Sequence, residues 1–439
     1  MNLLLAAPLD DAQIREVQSS YPEFTGAVPP EAKFWSEADL HLFCGSGGQL
    51  RPREGVSAGS RCGGDERFAS CALLTRLRQR LAEARVDEAP AEYRSVCRHL
   101  RQRASDLTCL PGVAECAQVE RHRVVPRGVL RSPLLVERVR MWVGRRWNSA
   151  FWRREFGAVS WKCRTRAPHF ESDAALAGSL QEVCEAGEYV DYMRVLQHED
   201  PRCDEENGLA FPRVIFNDWP IFYLGAAQLF EGSWRDLPPP GLIDHTLRWL
   251  KRWSGMCSDM PHLEQFARLH RITLAAPGAF TRLHRENFGA HAWFTQIEGS
   301  RLFFLFPPQG RHLYEESGRG LDPETVHDYA EKASPVDVFF PSQKRHPLFR
   351  EAKAKVALLN PGECLVVPSG WWHASVALES SVTLHRVFWN VANRGGIVDA
   401  LRDIVSCEHQ SGDLHERLNR CLDDFYDVVM DDNDPEDSE

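Results

Sequence analysis

The segment TRLHREN, residues 281–287, sets His284 and Glu286 two apart in a run that reads as a strand. Imidazole and carboxylate are donors for divalent metals. On a strand, residues i and i+2 face the same side, about 6.6 Å apart along the backbone. The pair suits two adjacent coordination positions, or it is an ordinary polar edge. Spacing does not separate these readings, because His-x-acid recurs as HFE from His169, HED from His198 and HLE from His262.

A metal needs a third donor from elsewhere in the chain. PGECLVVPSGWWHASV offers one: Pro361-Gly362 makes a turn, an apolar strand follows, and His373 comes after two tryptophans at the start of the next strand. One histidine in such a place is more often structural. Two histidines and a carboxylate from different strands, however, form the facial triad of non-haem Fe(II) oxygenases, with positions left open for other ligands.

The elements around these residues are mostly short strands. From about Leu269 the chain reads LHRITLAA, TRLHREN, HAWFTQI, SRLFFLF, KVALLN, ECLVVPS, WWHASVAL and SVTLHRVFW, divided by Pro and Gly turns. That spacing points to an all-β sandwich or barrel. GAVSWKC is a further candidate strand, FPRVIFNDWPIFYL is aromatic and extended, and helices are expected near Asp173–Ala186 and over Leu242–Trp253. FNDWPIF is a packing segment or a lining of the substrate approach. Beyond Asn390 the pattern turns helical, with Ile397, Leu401 and Ile404 on one face and Leu414, Leu418 and Phe425 on another. These helices either close the core or form a homodimer contact through residues 395–425. No internal repeat is visible.

Residues 1–118 read as a separate helical and loop region. Its GSGG, in the Gly- and Ser-rich stretch Phe43–Glu66, lacks the Gly-Lys-Ser/Thr ending of a phosphate-binding loop. ALLTRLRQRLAEARVDE and EYRSVCRHLRQRASDL follow as amphipathic helices with basic, solvated faces. The remaining divisions are 119–393 for the β domain, 394–422 for C-terminal helices and 423–439 for an acidic disordered tail.

With 439 residues the chain is long enough for two or three domains. The 13 cysteines are odd in number and never spaced Cys-x-x-Cys, which argues against a disulfide framework and a zinc ribbon. No apolar run approaches the ~20 residues of a membrane span, the start lacks the basic region of a signal peptide, and there is no Asn-x-Ser/Thr acceptor. Cytosol or nucleus is the expected location, with no membrane partner. A net charge of −10 makes sequence-independent nucleic-acid binding a poor expectation. The acidic tail is a solvated end or a contact for a basic partner such as a histone tail or ribosomal protein.

Taken together, TRLHRENFGAHAWFTQIEGSRLFFLFPP and LNPGECLVVPSGWWHASVALESSVTLHRVFWN resemble the JmjC-domain 2-oxoglutarate oxygenases. The likeness is greatest to the hydroxylase branch that includes the asparaginyl hydroxylase acting on hypoxia-inducible factor, and to its cupin-like relatives. It extends over roughly residues 119–393. The resemblance implies a double-stranded β-helix, or jelly roll, with N-terminal and C-terminal helices added. It also implies Fe(II), 2-oxoglutarate and O₂ as reactants, with succinate and CO₂ as co-products. His284, Glu286 and His373 match the iron ligands, and Thr281 matches a hydroxyl that binds the far carboxylate of 2-oxoglutarate. Arg301 stands where the family usually has Lys; its planar fork can pair a carboxylate, in a pocket of different depth. His385 is a candidate replacement for a helper Asn that several relatives place beside the co-substrate, or a core histidine.

The resemblance implies hydroxylation of a protein side chain as the leading activity. The alternatives are N-methyl demethylation of histone lysine or arginine, hydroxylation of a modified tRNA base, and a catalytically inactive binding protein that keeps the scaffold. Substrate choice rests with flanking segments such as 203–265 and 309–350, which carry no readable code.

Overall fold

Period-two alternation from residue 270 onward decides which side chains meet between two sheets. The structure, a computed structural model, describes residues 71–77, 113, 115–128, 130–137, 147–164, 181–197, 215–220, 238–310, 332–334, 336, 338, 341, 346–408 and 412–432. One sheet runs in the order β1 (Glu115–Gln118), β12 (Lys353–Leu359), β10 (Arg301–Phe306), β14 (Trp372–Ala377), β8 (Phe280–Arg285) and β11 (Lys332–Ala333). The other runs β2 (Glu120–His122), β3 (Leu134–Val136), β13 (Cys364–Val367), β9 (His291–Glu298), β15 (Ser381–Phe388), β7 (His270–Ala275), β6 (Ile215–Pro220), β4 (Ser160–Arg164) and β5 (Gln181–Glu185). Pairing is antiparallel except for β1 with β12 and β2 with β3. This is the expected two-sheet cupin sandwich with flanking helices.

The inner faces of the sheets meet through Phe294, Phe303, Leu305, Ala357, Leu365 and Trp371, all buried. Residues of opposite parity, such as Trp293 and Ile297, turn outward beneath a second core. That core is covered by a helical segment at residues 72–77 (α1), by α2 (Ser149–Phe156) and by α3 (Ala186–Gln197). Burial of each large aromatic there contributes roughly 1.5–3 kcal/mol. Phe216 and Trp219 of FNDWPIF pack in this core against Tyr189 and Trp152, so these two rings serve packing. α1 belongs to the first predicted basic helix; Leu73, Leu74 and Leu77 are buried, and Arg76 grips Glu188 of α3 with two hydrogen bonds of 2.6 and 2.8 Å. The glycine-rich loop at 43–66 and the second basic helix lie outside the described residues.

Two expectations need correction. The helix predicted near Asp173–Ala186 is, in its described part, the strand β5, with helix starting only at Ala186. Alternation explains it: Val183 is exposed while Cys184 is buried, its Sγ 3.4 Å from Cys163 on the paired strand β4. Neither forms a disulfide, and the same holds for Cys71, Cys116, Cys257, Cys364 and Cys421.

The last helix continues past residue 423, where acidic composition predicts disorder. α7 (Asp413–Met430) buries Leu418, Leu422, Phe425 and Val429. These four, three or four residues apart, form one stripe, and the acids occupy the other face. Beyond the helix end, the Asp432 carboxylate is held by Arg248, Arg252 and the Trp249 indole.

The apolar faces read as a possible homodimer contact are covered within the chain. α6 (Gly395–Glu408) and α7 pack with α4 (Thr246–Met256), α5 (His262–Leu269) and Trp389 around one core. Among the described residues no helix is long and apolar enough to cross a membrane.

Candidate metal centre

β8 and β14 lie side by side, and His284 pairs directly with His373 across them, with ring centroids 4.1 Å apart. Glu286 follows β8 by one residue. One ligand atom from each of the three side chains falls within 4.8 Å of the others. The two sequence-distant segments are therefore brought to one point, as the family resemblance implies. Of the other His-x-acid motifs, His262 and Glu264 sit in the first turn of α5, where residues two apart face different directions. His169 and His198 lie outside the described residues.

The tautomer of His284 follows from its neighbour. Its Nδ1 lies 2.7 Å from the Arg282 carbonyl oxygen, which only accepts, so Nδ1 carries the proton and Nε2 keeps a lone pair. His373 is 1% exposed and neither ring nitrogen makes a hydrogen bond, although Nε2 is 3.6 Å from Glu286 Oε1. Burial, above all, and the neighbouring His284 push His373 down to about 3, so the ring is neutral and its lone pair is available. Burial alone would raise the Glu286 carboxyl, but His385, His373 and His284 outweigh it and hold it down to about 2. A neutral His373 beside an ionised Glu286 is the protonation state a metal requires.

His385 faces the same cavity from the opposite sheet. Its Nε2 is 3.2 Å from Glu286 Oε1, and its ring is stacked on Phe294 at 4.4 Å and 7°. Sequence reasoning places His385 beside the co-substrate; the neighbour found is a metal donor.

Thr281 and His284 are three apart, so on a regular strand they would face opposite sides. A register shift corrects this: His373 pairs with His284, but Ser375 pairs with Thr281, which leaves one extra residue on β8. The Thr281 hydroxyl thereby meets the Ser375 hydroxyl at 2.8 Å on the face that carries His373.

Arg301 completes this face. It is 3% exposed, inside the sandwich rather than at its mouth, with its guanidinium 5.5 Å from the Phe303 ring centroid. Nη2 donates to Ser375 Oγ at 2.7 Å and Nη1 to Thr383 Oγ1 at 3.3 Å. Thr383 in turn donates to Gln296 Oε1 at 2.9 Å, and Gln296 Nε2 donates to the carbonyls of Glu298 and Gly299. These links fix the plane of the guanidinium. Ser375 is two residues from His373, about 7 Å along the strand. Ser375, Thr383 and Gln296 escape a motif search; strand parity with His373 and His385 is the signal that could have found the first two.

Trp371 and Phe294 belong to the inner core, so the bulk beside the site is largely packing. Trp372 lies beneath the Arg285 guanidinium at 5.6 Å.

Comparison with known proteins agrees with this geometry. Residues 224–394 match the family model described as a Cupin-like domain. Arginine-specific demethylase JMJ22 of Arabidopsis thaliana is 26% identical over 172 residues, 35% of this chain and 31% of that protein. Lysine-specific demethylase JMJ21 of the same plant is 27% identical over 216 residues, 47% of this chain and 19% of that protein. Human HSPB1-associated protein 1 is 33% identical over 102 residues, 23% of this chain and 20% of that protein. The chain thus spans about a third or less of the length of these relatives. Over residues 224–394 the chain matches a cupin-like domain, and all three candidate metal donors lie within it.

Proposed function

We propose that this chain is an Fe(II)- and 2-oxoglutarate-dependent oxygenase that hydroxylates a protein side chain. The observation that carries the reading is the convergence of His284, Glu286 and His373 within 4.8 Å. The residues fit the ion: a buried neutral His373 with no hydrogen bond at either nitrogen is a ligand in waiting, and the donor set suits a non-haem ferrous site. Thr281 and Arg301 suit the far carboxylate of 2-oxoglutarate, since a guanidinium can pair a carboxylate through parallel N–H groups.

When bound, iron and 2-oxoglutarate supply the oxidative chemistry with O₂, the co-substrate leaving as succinate and CO₂ while one oxygen atom enters a substrate C–H bond. The chain's own residues hold and orient. His284, Glu286 and His373 fix the ion on one side of the cavity, leaving the other side for ligands. Arg301 and Thr281 set the direction of the diacid. Phe294, Phe303 and Leu305 keep water from the inner wall.

A second reading is N-methyl demethylation of a protein. It is favoured by the names of the relatives, two of which are arginine- and lysine-specific demethylases. Hydroxylation of an N-methyl carbon gives an unstable product that releases formaldehyde, so both readings share their first step. A net charge of −10 favours a basic protein partner in either case.

The test is anaerobic titration of the metal-free protein with Fe(II) and then 2-oxoglutarate. The expected signal is the weak visible charge-transfer band of the chelated keto acid, abolished by His373→Ala. Iron binding without that band would overturn both readings in favour of a non-catalytic binding protein. Mass spectrometry of peptide substrates then separates gain of one oxygen from loss of a methyl group.

A further inference from the structure

The metal donor Glu286 opens a loop, residues 286–290, whose backbone is held from outside the β-sandwich. Phe288 and Gly289 are both left-handed, at φ 53° and 58°. For Phe288 that conformation is costly and persists only where the surroundings impose it. The surroundings are the turn after the last strand. Trp389 Nε1 donates to the Phe288 carbonyl at 3.1 Å, and Asn393 Nδ2 donates to the Gly289 carbonyl at 2.7 Å. Asn393 is itself fixed, because its Oδ1 accepts from the Asn390 amide at 2.8 Å in a reciprocal cap. Trp389 is tied to α4 through its amide on the Thr246 hydroxyl at 2.9 Å and its carbonyl on the His245 amide at 3.0 Å. Gly396, near the start of α6, lies so close that a Cβ there would collide with the Phe288 carbonyl and the Trp389 indole.

We infer that the segment 389–396 is a positioning element for Glu286, with Asn393 and Gly396 as its positioning residues. It fixes two consecutive carbonyls of the metal loop, and so the direction in which the Glu286 carboxylate leaves β8. The inference rests on the metal reading above and adds to it a dependence of the metal site on the C-terminal helices. Two residues of the turn grip the loop by side-chain donors, and the third lets the helix approach by having no side chain.

The experiment compares metal binding with stability in the full chain. Asn393→Asp keeps the Oδ acceptor of the cap and loses the donor to Gly289; Gly396→Ala inserts the colliding methyl. Leu418→Ala, which thins the same C-terminal core from α7 and leaves both hydrogen bonds to the loop carbonyls intact, is the control for general destabilisation. Co(II) and anaerobic Fe(II) affinities are measured by calorimetry, with hydrogen exchange of the 286–290 amides followed alongside. The expected result is at least tenfold weaker metal binding and faster loop exchange in Asn393→Asp, while Leu418→Ala lowers Tm and leaves affinity within about twofold. Wild-type affinity in Asn393→Asp overturns the inference and leaves the metal site standing. Failure of the wild type to bind either metal overturns both. Should Gly396→Ala not fold, Asn393→Asp decides the matter.

Discussion

His385 Nε2 lies 3.2 Å from Glu286 Oε1, reaching across the sandwich from β15 to the carboxylate that follows β8. Its ring cannot swing away, because it is stacked on Phe294. The N–H it can offer would engage one carboxylate oxygen and leave the other for the ion. Outer-sphere partners of this kind commonly change metal affinity by 10–100-fold. His385→Phe keeps the stack and removes the donor. We expect Fe(II) affinity to fall on the order of tenfold or more with little loss of Tm, as read by anaerobic calorimetry and thermal melts.

The Arg301 site makes a different prediction, about co-substrate rather than metal. Ser375 and Thr383 hold the guanidinium by two separate nitrogens, at 2.7 and 3.3 Å, a geometry that an ammonium cannot copy. Arg301→Lys is expected to lose about 1.5–3 kcal/mol of charged hydrogen bonding, a roughly 10–100-fold rise in the 2-oxoglutarate Kd. Titration of the visible band at saturating Fe(II) measures it. Restoration of the more usual family residue would thus weaken binding here.

Acid should destabilise the metal-free protein well before its carboxylates titrate. His291 accepts a hydrogen bond from the Ser369 amide on Nδ1 at 2.8 Å and must keep that lone pair. Burial pushes His291 down to about 4, against the raising effects of Asn390 and Asp244. The folded value lies below the unfolded one, so the unfolded chain takes up the proton first. Stability is full above about pH 6.5 and declines as pH falls toward 4. At pH 5 this single group removes about 2 kcal/mol. His291→Gln, which keeps an acceptor without titrating, should lessen the fall of Tm between pH 7 and 5, and the buried His373 and His270 carry the remainder.

Truncation after residue 422 tests the end of α7. It removes Phe425 and Val429, both 0% exposed, together with the Asp432 contacts to Arg248 and Arg252. Loss of a buried phenylalanine alone costs roughly 3–5 kcal/mol. We expect the truncated chain to melt far below the full chain, or to be insoluble. Truncation after residue 432 should leave Tm unchanged in the same thermal scan.

What the sequence made legible follows from how each feature is encoded. His284, Glu286 and His373 stand in local motifs, and the strands holding them alternate cleanly, so the triad and the sandwich could be read in advance. The placement of Thr281 on the same face could not, because it depends on a bulge visible only in the pairing of β8 with β14. Gln296 and Thr383 support Arg301 through a cross-strand register, and nothing in either local sequence reveals that pairing. In QEVCEA, polar residues with helix-forming glutamates mask a strand in which, among the described side chains, Cys184 is the buried one. In α7 the density of aspartate hides a four-residue apolar stripe, since composition averages over the period that matters.

The chain passes from one sheet to the other at Val119, between β1 and β2. Each of these strands is parallel to its neighbour, and Arg121 meets Glu363 at a separation of 242 residues. At synthesis rates of about 5–20 residues per second, such a partner emerges on the order of tens of seconds later. The N-terminal seam therefore cannot close until β12 and β13 have left the ribosome. Until then β1 and β3 lack these partners, and the vulnerable species in the cell is a half-made sandwich whose early strands present open edges.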